Sequence, residues 1–238
     1  INESSWHEYK EILNDRVIFF QKELSGNVRP YTKASTMKNG WCWEIDHLEK
    51  TSCGYVFSSK HCSDNDAIKE VSEKFEIELE NPKIINFKTG RKEKHWIGNL
   101  ISLGNSDFFI EPLESTGLMT ITVLSIVVTD IIRYGNNCGS LREQYDEYAN
   151  NYYDTLKDFV LFHFCFNRKK VSKYWNDYSK NFKYITKGGI AEQFLNHYLK
   201  NDVHLKFLSH LFNDNNPFGV EGWFSIFRGL DPKKSKIT

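Results

Sequence analysis

Leu100-Ile101-Ser102-Leu103-Gly104-Asn105-Ser106-Asp107-Phe108-Phe109-Ile110-Glu111-Pro112-Leu113-Glu114-Ser115-Thr116-Gly117-Leu118 is where the chain changes character. An apolar strand is expected to end at Gly104, a polar loop follows, and a long apolar helix starts after Gly117. Pro112 restricts the residue before it, so Glu111 is expected to be extended and the helix to begin later. Ser115 or Thr116 then supplies the N-cap oxygen. The first free N–H groups, near Thr116 and Gly117, point out of the helix start and can hold an anion. Glycine there lets a ligand come close to the backbone. Glu111 and Glu114 sit at the same helix start. Acids favour a first turn for dipole reasons alone, and spacing does not separate that role from catalysis.

Upstream of this point the chain reads as short strands. Arg16 to Phe20 is a β-branched and aromatic run that stops before the turn cluster Ser25-Gly26-Asn27. Gly40 to Leu48 and Gly54 to Ser59 are two more strands, separated by Thr51-Ser52-Cys53. A helix is expected from about Asp64, capped by Ser63 or Asp64, with Ala67, Ile68, Val71 and Phe75 at helical spacing. Ile84 to Phe87 and Trp96 to Leu103 return to strand character. Downstream, Leu141, Tyr145, Tyr148, Tyr152, Leu156, Phe159, His163 and Phe166 fall three or four apart, one stripe along a long helix. Shorter helices are expected at Lys173–Lys180, Gly189–Leu199, Val203–Phe212 and Gly219–Gly229. The fold class is therefore α+β, with mostly antiparallel strands in the N-terminal part (1–116) and a helical C-terminal half (117–238).

The 238 residues carry 31 Lys plus Arg against 31 Asp plus Glu, a balance that argues against a nucleic-acid binder. Aromatics make up 15%, enough to bury a substantial core, and 14 Gly with 5 Pro do not suit a disordered chain. The five cysteines show no CxxC pair, so reduced thiols and a cytoplasmic setting are the default. Leu118 to Ile132 is interrupted by Thr120, Thr122, Ser125, Thr129 and Asp130 and falls short of the roughly 20 residues of a membrane span. It reads as a buried helix rather than a membrane segment. His47, His61 and Cys62 match no zinc spacing, so no metal site is expected.

The run Gly104 to Gly117, ending in Glu-Pro-Leu-Glu-Ser-Thr-Gly, resembles the flavin-dependent tryptophan halogenases. Other pieces agree in order: Pro30-Tyr31-Thr32, Gly40-Trp41-Cys42-Trp43-Glu44-Ile45, Gly54 to Ser59, Gly90-Arg91 and Trp96. Trp41-x-Trp43-x-Ile45 is similar to the family's WxWxIP signature, with Asp46 in place of its proline. The resemblance covers the C-terminal half of such an enzyme. The family's GxGxxG and its catalytic lysine lie in the other half and are absent from this sequence. Together with Ile1 at the start, this gives the expectation of a chain whose N-terminal portion is missing and which is inactive alone.

The resemblance implies an enzyme that uses reduced FAD, dioxygen and chloride or bromide to halogenate an electron-rich aromatic, tryptophan or another indole. A hypohalous acid passes down a tunnel to the ring. By motif position, Thr116 and Gly117 bind the halide through their N–H groups, and Glu114 stabilises the ring cation and takes its proton. Ser115 is its neighbour, as relay or as plain N-cap. Gly104, Asn105 and Leu118 border the flavin, while Trp41, Trp43 and Ile45 line the space between flavin and tunnel. A separate flavin reductase is implied as partner, and a homodimer is compatible. Trp175, Phe212, Phe218 and Trp223 are candidate ring-stacking residues, although residues of these types more often belong to a core. Two alternatives stand beside this reading: a flavin-dependent aromatic hydroxylase (a monooxygenase), and a non-catalytic remnant of the fold.

Overall fold

The computed structural model describes residues 5–79, 82–135, 138–167, 172–200 and 217–230. Its strands are β1 (Trp6–Glu8), β2 (Arg16–Glu23), β3 (Lys33–Thr36), β4 (Gly40–Asp46), β5 (Lys50–Phe57), β6 (Lys83–Asn86), β7 (Gly90–Lys92), β8 (Trp96–Ile97), β9 (Leu100–Ile101) and β10 (Phe108–Phe109). Its helices are α1 (Asp64–Phe75), α2 (Thr116–Tyr134), α3 (Cys138–Cys165), α4 (Lys173–Lys180), α5 (Ile190–Lys200) and α6 (Gly219–Leu230). All described strands precede α2, and all described α-helices except α1 start at Thr116 or later. The mixed architecture and its antiparallel pairing agree with the expectation from sequence.

The elements fall into two compact units. One comprises Leu13–Lys88 and Lys169–Lys180; the other comprises Ile1–Ile12, Thr89–Arg168 and Asn181–Thr238. The change from strand to helix near Gly117 therefore lies inside one unit.

The first unit is built on an antiparallel sheet ordered β3-β4-β5-β2-β6. Alternation along each strand sends side chains to opposite faces. Ile18, Phe20, Cys42, Cys53, Tyr55 and Phe57 form one face and bury Ala67 and Val71 of α1. Ser63 caps α1, its hydroxyl accepting from Asp66 N–H at 3.2 Å. The stretch Thr51-Ser52-Cys53 does not separate two strands, as its composition suggested. It lies within β5, pairing with Asp46, Ile45 and Glu44, and the reversal falls at His47 to Glu49, closed by His47 N–H to Lys50 C=O at 2.8 Å.

Trp41 and Trp43 share the opposite face of β4, with ring centroids 5.8 Å apart. Gly54, paired to Trp43, makes room for the indole: a Cβ there would stand 2.0 Å from Trp43 Cζ2. Where the family signature has proline, Asp46 takes Arg29 instead. The guanidinium donates at 2.6 Å to each carboxylate oxygen, and Thr51 Oγ adds a donor at 2.8 Å. These hydrogen bonds hold the Asp46 carboxyl well below the usual carboxylate range. Nearby Glu44 is buried, which pushes its carboxyl up, but Lys22 at 2.7 Å and Lys33 at 3.0 Å outweigh that and hold it below its ordinary value. Helix α4 is tied to the same unit through Trp175 Nε1–H to Met37 C=O at 2.9 Å and Tyr174 OH to Asn14 at 2.8 Å.

In the second unit, β7 pairs with both β1 and β10. The Gly90-Arg91 motif is explained by packing. A Cβ on Gly90 would stand 2.5 Å from Trp6 Nε1, and Arg91 grips Asp154 of α3 at 3.0 and 3.1 Å. Trp96 to Leu103 is not one strand. Gly98, at φ +58°, turns it into the hairpin of β8 and β9, a conformation that glycine adopts without a Cβ penalty.

Helix α2 also departs from expectation. It is not a buried helix. Thr116, Thr120, Leu124 and Val128 form a buried stripe at a spacing of four, while Leu118 is 80% and Ile132 62% exposed. Its threonines bond back to the helix, Thr120 Oγ to Gly117 C=O at 2.8 Å and Thr129 Oγ to Ser125 C=O at 2.7 Å. This hides their polarity and leaves an apolar outer face. By length and composition α2 is sufficient to cross a membrane. Helix α3 is deeply buried in its second half, from Tyr152 to Phe166, which accounts for the aromatic stripe. Helices α4, α5 and α6 match the expected segments, whereas Val203–Phe212 lies outside the described residues.

One carboxylate gathers the second unit. Asp107, fully buried, accepts from Ser102 Oγ at 2.5 Å and Tyr153 OH at 2.7 Å, and lies 2.8 Å from His95 Nδ1. Replacing it with alanine removes the partner of Tyr153 OH and of His95 Nδ1 and leaves Ser102 only its 3.3 Å bond to His95 C=O, so Asp107→Ala is expected to cost about 3–5 kcal/mol, read by chemical denaturation. A loss under about 1 kcal/mol, within the range of surface substitutions, would show the network to be dispensable.

Glu44 offers a test against pH. A carboxyl held low in the folded state stabilises fully above its unfolded value of about 4.3 and loses that contribution as pH falls through the lower folded value. Wild type is therefore expected to exceed Glu44→Gln by about 1–3 kcal/mol at neutral pH, with the gap closing in acid. A gap independent of pH would refute the ion-pair account.

Candidate functional site

Two short turns and the start of α2 pack together. The first is a 3₁₀ turn, Gly104–Ser106. Gly104 sits at φ +59°, and a Cβ there would press to 2.8 Å on Ile121 of α2. Asn105 lies alongside, its Oδ1 3.9 Å from the point where Gly117 would carry a Cβ.

The second is Pro112–Glu114. Glu111 is extended (φ −177°, ψ 167°), as the following proline requires, and its carboxylate accepts Leu113 N–H at 3.2 Å. Glu111 thus acts as a cap for this turn, a structural part that the sequence left undivided between two glutamates. Ser115 then adopts a left-handed conformation, φ 50° and ψ 35°, and donates its N–H to Pro112 C=O at 3.1 Å. Only Ser115 and Glu76 do so among the described non-glycine residues. Such a conformation is unfavourable for a residue with a Cβ and clusters where structure serves a site.

Ser115 occupies the N-cap position of α2, but its hydroxyl makes no capping bond. The N–H groups of the first turn, Thr116 and Gly117 foremost, have no carbonyl within the helix to meet. A left-handed residue flanked by right-handed ones also turns successive N–H groups towards one side, the geometry that holds small anions.

Glu114 ends the second turn with its side chain about a quarter exposed, at 27%, and its Oε1 2.9 Å from Nε2 of His163 on α3. The other ring nitrogen of His163, Nδ1, lies 2.8 Å from Phe159 C=O. The Phe159 ring meets His163 edge-on at 5.1 Å and stacks on Phe218 at 3.7 Å.

Gly104, Asn105, Glu114, Ser115, Thr116, Gly117 and Leu118 are thus neighbours around the start of α2. Trp41, Trp43 and Ile45 belong to the other unit. Of the candidate ring-stacking residues, Trp175 and Trp223 are buried, Phe218 packs on Phe159, and Phe212 lies outside the described residues. His163 was legible in the sequence only as one member of an apolar stripe. A titratable residue at a position otherwise held by Leu, Tyr and Phe was the available signal.

The family model described as tryptophan halogenase matches residues 2–236. The tryptophan 7-halogenase RebH of Lentzea aerocolonigenes is 30% identical over 169 residues, 69% of this chain and 32% of that protein. Among solved structures, the tryptophan 6-halogenase SttH of Streptomyces toxytricini aligns at a TM-score of 0.67 with 27% identity, covering 75% of this chain and 36% of that one. MibH, a lanthipeptide-type tryptophan 5-halogenase, aligns at 0.80 with 24% identity, over 95% of this chain and 44% of that one, and shows the shared fold. The chain spans about a third of the length of curated relatives such as RebH. With the Glu-Ser-Thr-Gly run set at the start of α2 and the family match running almost end to end, the chain belongs to the tryptophan halogenase family.

Proposed function

We propose that this chain forms the substrate-side portion of a flavin-dependent halogenase acting on an electron-rich aromatic, tryptophan or another indole. The observation that carries the reading is the start of α2, where the left-handed Ser115 links Glu114 of the preceding turn to the first-turn N–H groups, which helix geometry leaves without intrahelical partners. Such N–H groups suit chloride or bromide, and the carboxylate suits a proton leaving a ring. Oxygen insertion by a hydroxylase would have no use for a halide pocket, so this pairing favours halogenation.

The residues fit the groups that the reading requires. At Gly117 a Cβ would meet nothing nearer than Asn105 Oδ1 at 3.9 Å, so there is room beside the backbone of the first turn at that position. Asn105 and Leu118, both exposed, would offer a small, mixed polar and apolar surface to one edge of a flavin, with the buried Gly104 shaping the turn behind them. Bound reduced FAD with dioxygen would supply the oxidising power that makes halide electrophilic. Thr116 and Gly117 would hold the halide through their N–H groups, and Ser115 would fix their direction. Glu114 would face the cationic ring, stabilise it and accept its proton. Trp41 and Trp43, with Ile45, are assigned by their motif to the wall that keeps the aromatic substrate from the flavin. A separate flavin reductase is the partner this chemistry needs. The buried thiols Cys42, Cys53 and Cys62, outside any disulfide among the described residues, support a reducing, cytoplasmic setting.

Both tests use a halogenation-competent protein containing this chain, with a flavin reductase, halide and a panel of indoles. Glu114→Gln is expected to lower halogenated product by about 10²–10⁴-fold while reduced flavin is consumed as in wild type. Normal halogenation by this variant sinks the role of the carboxylate.

Gly117→Val probes the halide. The open space at Gly117 accepts a Cβ, so the fold and FAD binding are expected to persist. Product is expected to fall by roughly 10²-fold, the scale of a lost anion donor. Undiminished product would remove Thr116 and Gly117 from the halide site.

A further inference from the structure

We propose that His163 is the positioning residue of Glu114: it shares one proton with Oε1 and leaves Oε2 as the oxygen that receives the ring proton. The proposal rests on the halogenase reading of Glu114 and adds a residue that the motif does not contain.

The tautomer follows from the partners. A carbonyl oxygen can only accept, so Nδ1, 2.8 Å from Phe159 C=O, carries a hydrogen. Nε2 then faces Oε1 at 2.9 Å. Two bare lone pairs would repel at that distance, so a proton lies between them, on either the ring or the carboxyl.

The ring cannot readily swing away. Phe159 holds it twice, through the carbonyl and through an edge-on contact at 5.1 Å. Phe159 is itself buried, stacked on Phe218 at 3.7 Å and meeting Trp223 edge-on at 4.8 Å. Glu114, by contrast, ends a three-residue turn, and among the described residues His163 is its one ion-pair partner. Its orientation is therefore set from α3 rather than from its own turn.

The proton balance closes without another reagent. When the halogenated ring regains aromaticity, the C–H electron pair returns to the ring and the proton passes to Oε2. Oε2 then releases it to solvent, and the Glu114–His163 pair returns to its one-proton state. A side chain held on one oxygen offers the other in a fixed direction, and a misplacement of about 1 Å in such a group costs on the order of 10²-fold in rate.

The test has two arms. In the first, the chain itself is labelled with ¹⁵N-histidine, and the ring nitrogens of its eight histidines are followed by NMR. His163 is expected to show a protonated Nδ1 and a Nε2 signal that shifts on Glu114→Gln. A His163 spectrum indifferent to that change overturns the proposal.

In the second arm, the halogenation-competent protein is assayed for product and flavin consumption together. His163→Leu is expected to lower product by about 10²-fold, mainly in kcat, with flavin consumption unchanged. His163→Gln keeps an N–H donor and is expected to restore roughly a tenth or more of the wild-type rate. Wild-type turnover in the leucine variant, or a glutamine variant as poor as leucine, overturns the positioning role. A wild-type protein that halogenates no indole overturns the reading of Glu114 itself, and that outcome is visible before any variant is made.

Discussion

A buried carboxylate without partners is among the most costly things a protein can contain, and Asp107 avoids that cost by drawing three segments to itself. His95 comes from the link between β7 and β8, Ser102 from the end of β9, and Tyr153 from the middle of α3. Burial beside Asp107 pushes the Tyr153 phenol far up, so Tyr153 keeps its hydrogen and acts as a donor. The backbone joins in, with Lys92 N–H bonding to Asp107 C=O at 2.8 Å and Asp107 N–H to Gly104 C=O at 2.9 Å. Phe108 then lies flat on Tyr153 at 4.3 Å. A single position thus fixes where the Gly104–Ser106 turn sits relative to α3.

That fixed point matters because the rest of the candidate site consists of very short pieces. Turns of three residues have little stability of their own. The first is stapled through Asp107, and the second through the Glu111 carboxylate and the Ser115 N–H. Between them they determine how α2 starts, and so where the N–H groups of its first turn point. The left-handed Ser115 is tolerated because the segments on both sides are held: Pro112 fixes the entry, and the buried stripe Thr116, Thr120, Leu124 and Val128 fixes the exit.

Much of this was legible in the sequence. Pro112 predicts the extended Glu111, Ser63 predicts the start of α1, and the three-and-four spacing predicts α3, because each rests on local backbone or periodicity rules. What escaped depends on partners distant in the chain. Thr51 to Cys53 reads as a turn until β4 is seen to pair with it. Helix α2 reads as buried because its composition is apolar, although only one stripe faces inward. The left-handed Ser115 has no sequence sign, since serine is neither glycine nor asparagine. The motif itself named Glu114, but its partner on α3 stands 49 positions away in sequence, hidden in a stripe of aromatics.

The concentration of polar side chains on α3 follows from the same physics. Most polar groups that a folded protein buries find a hydrogen-bond partner. Asp154 meets Arg91 and Tyr9, and Lys157 Nζ donates to Tyr184 C=O at 3.1 Å. Tyr153 meets Asp107, and His163 meets Glu114. Each such pair acts as a positional constraint, because moving the partner would leave a buried or half-buried polar group unpaired. A helix that only filled space could have used leucine at these positions. By carrying groups that need partners, α3 holds β7, the Gly104 turn and the Glu114 turn in one register, and the geometry at the start of α2 follows from that register.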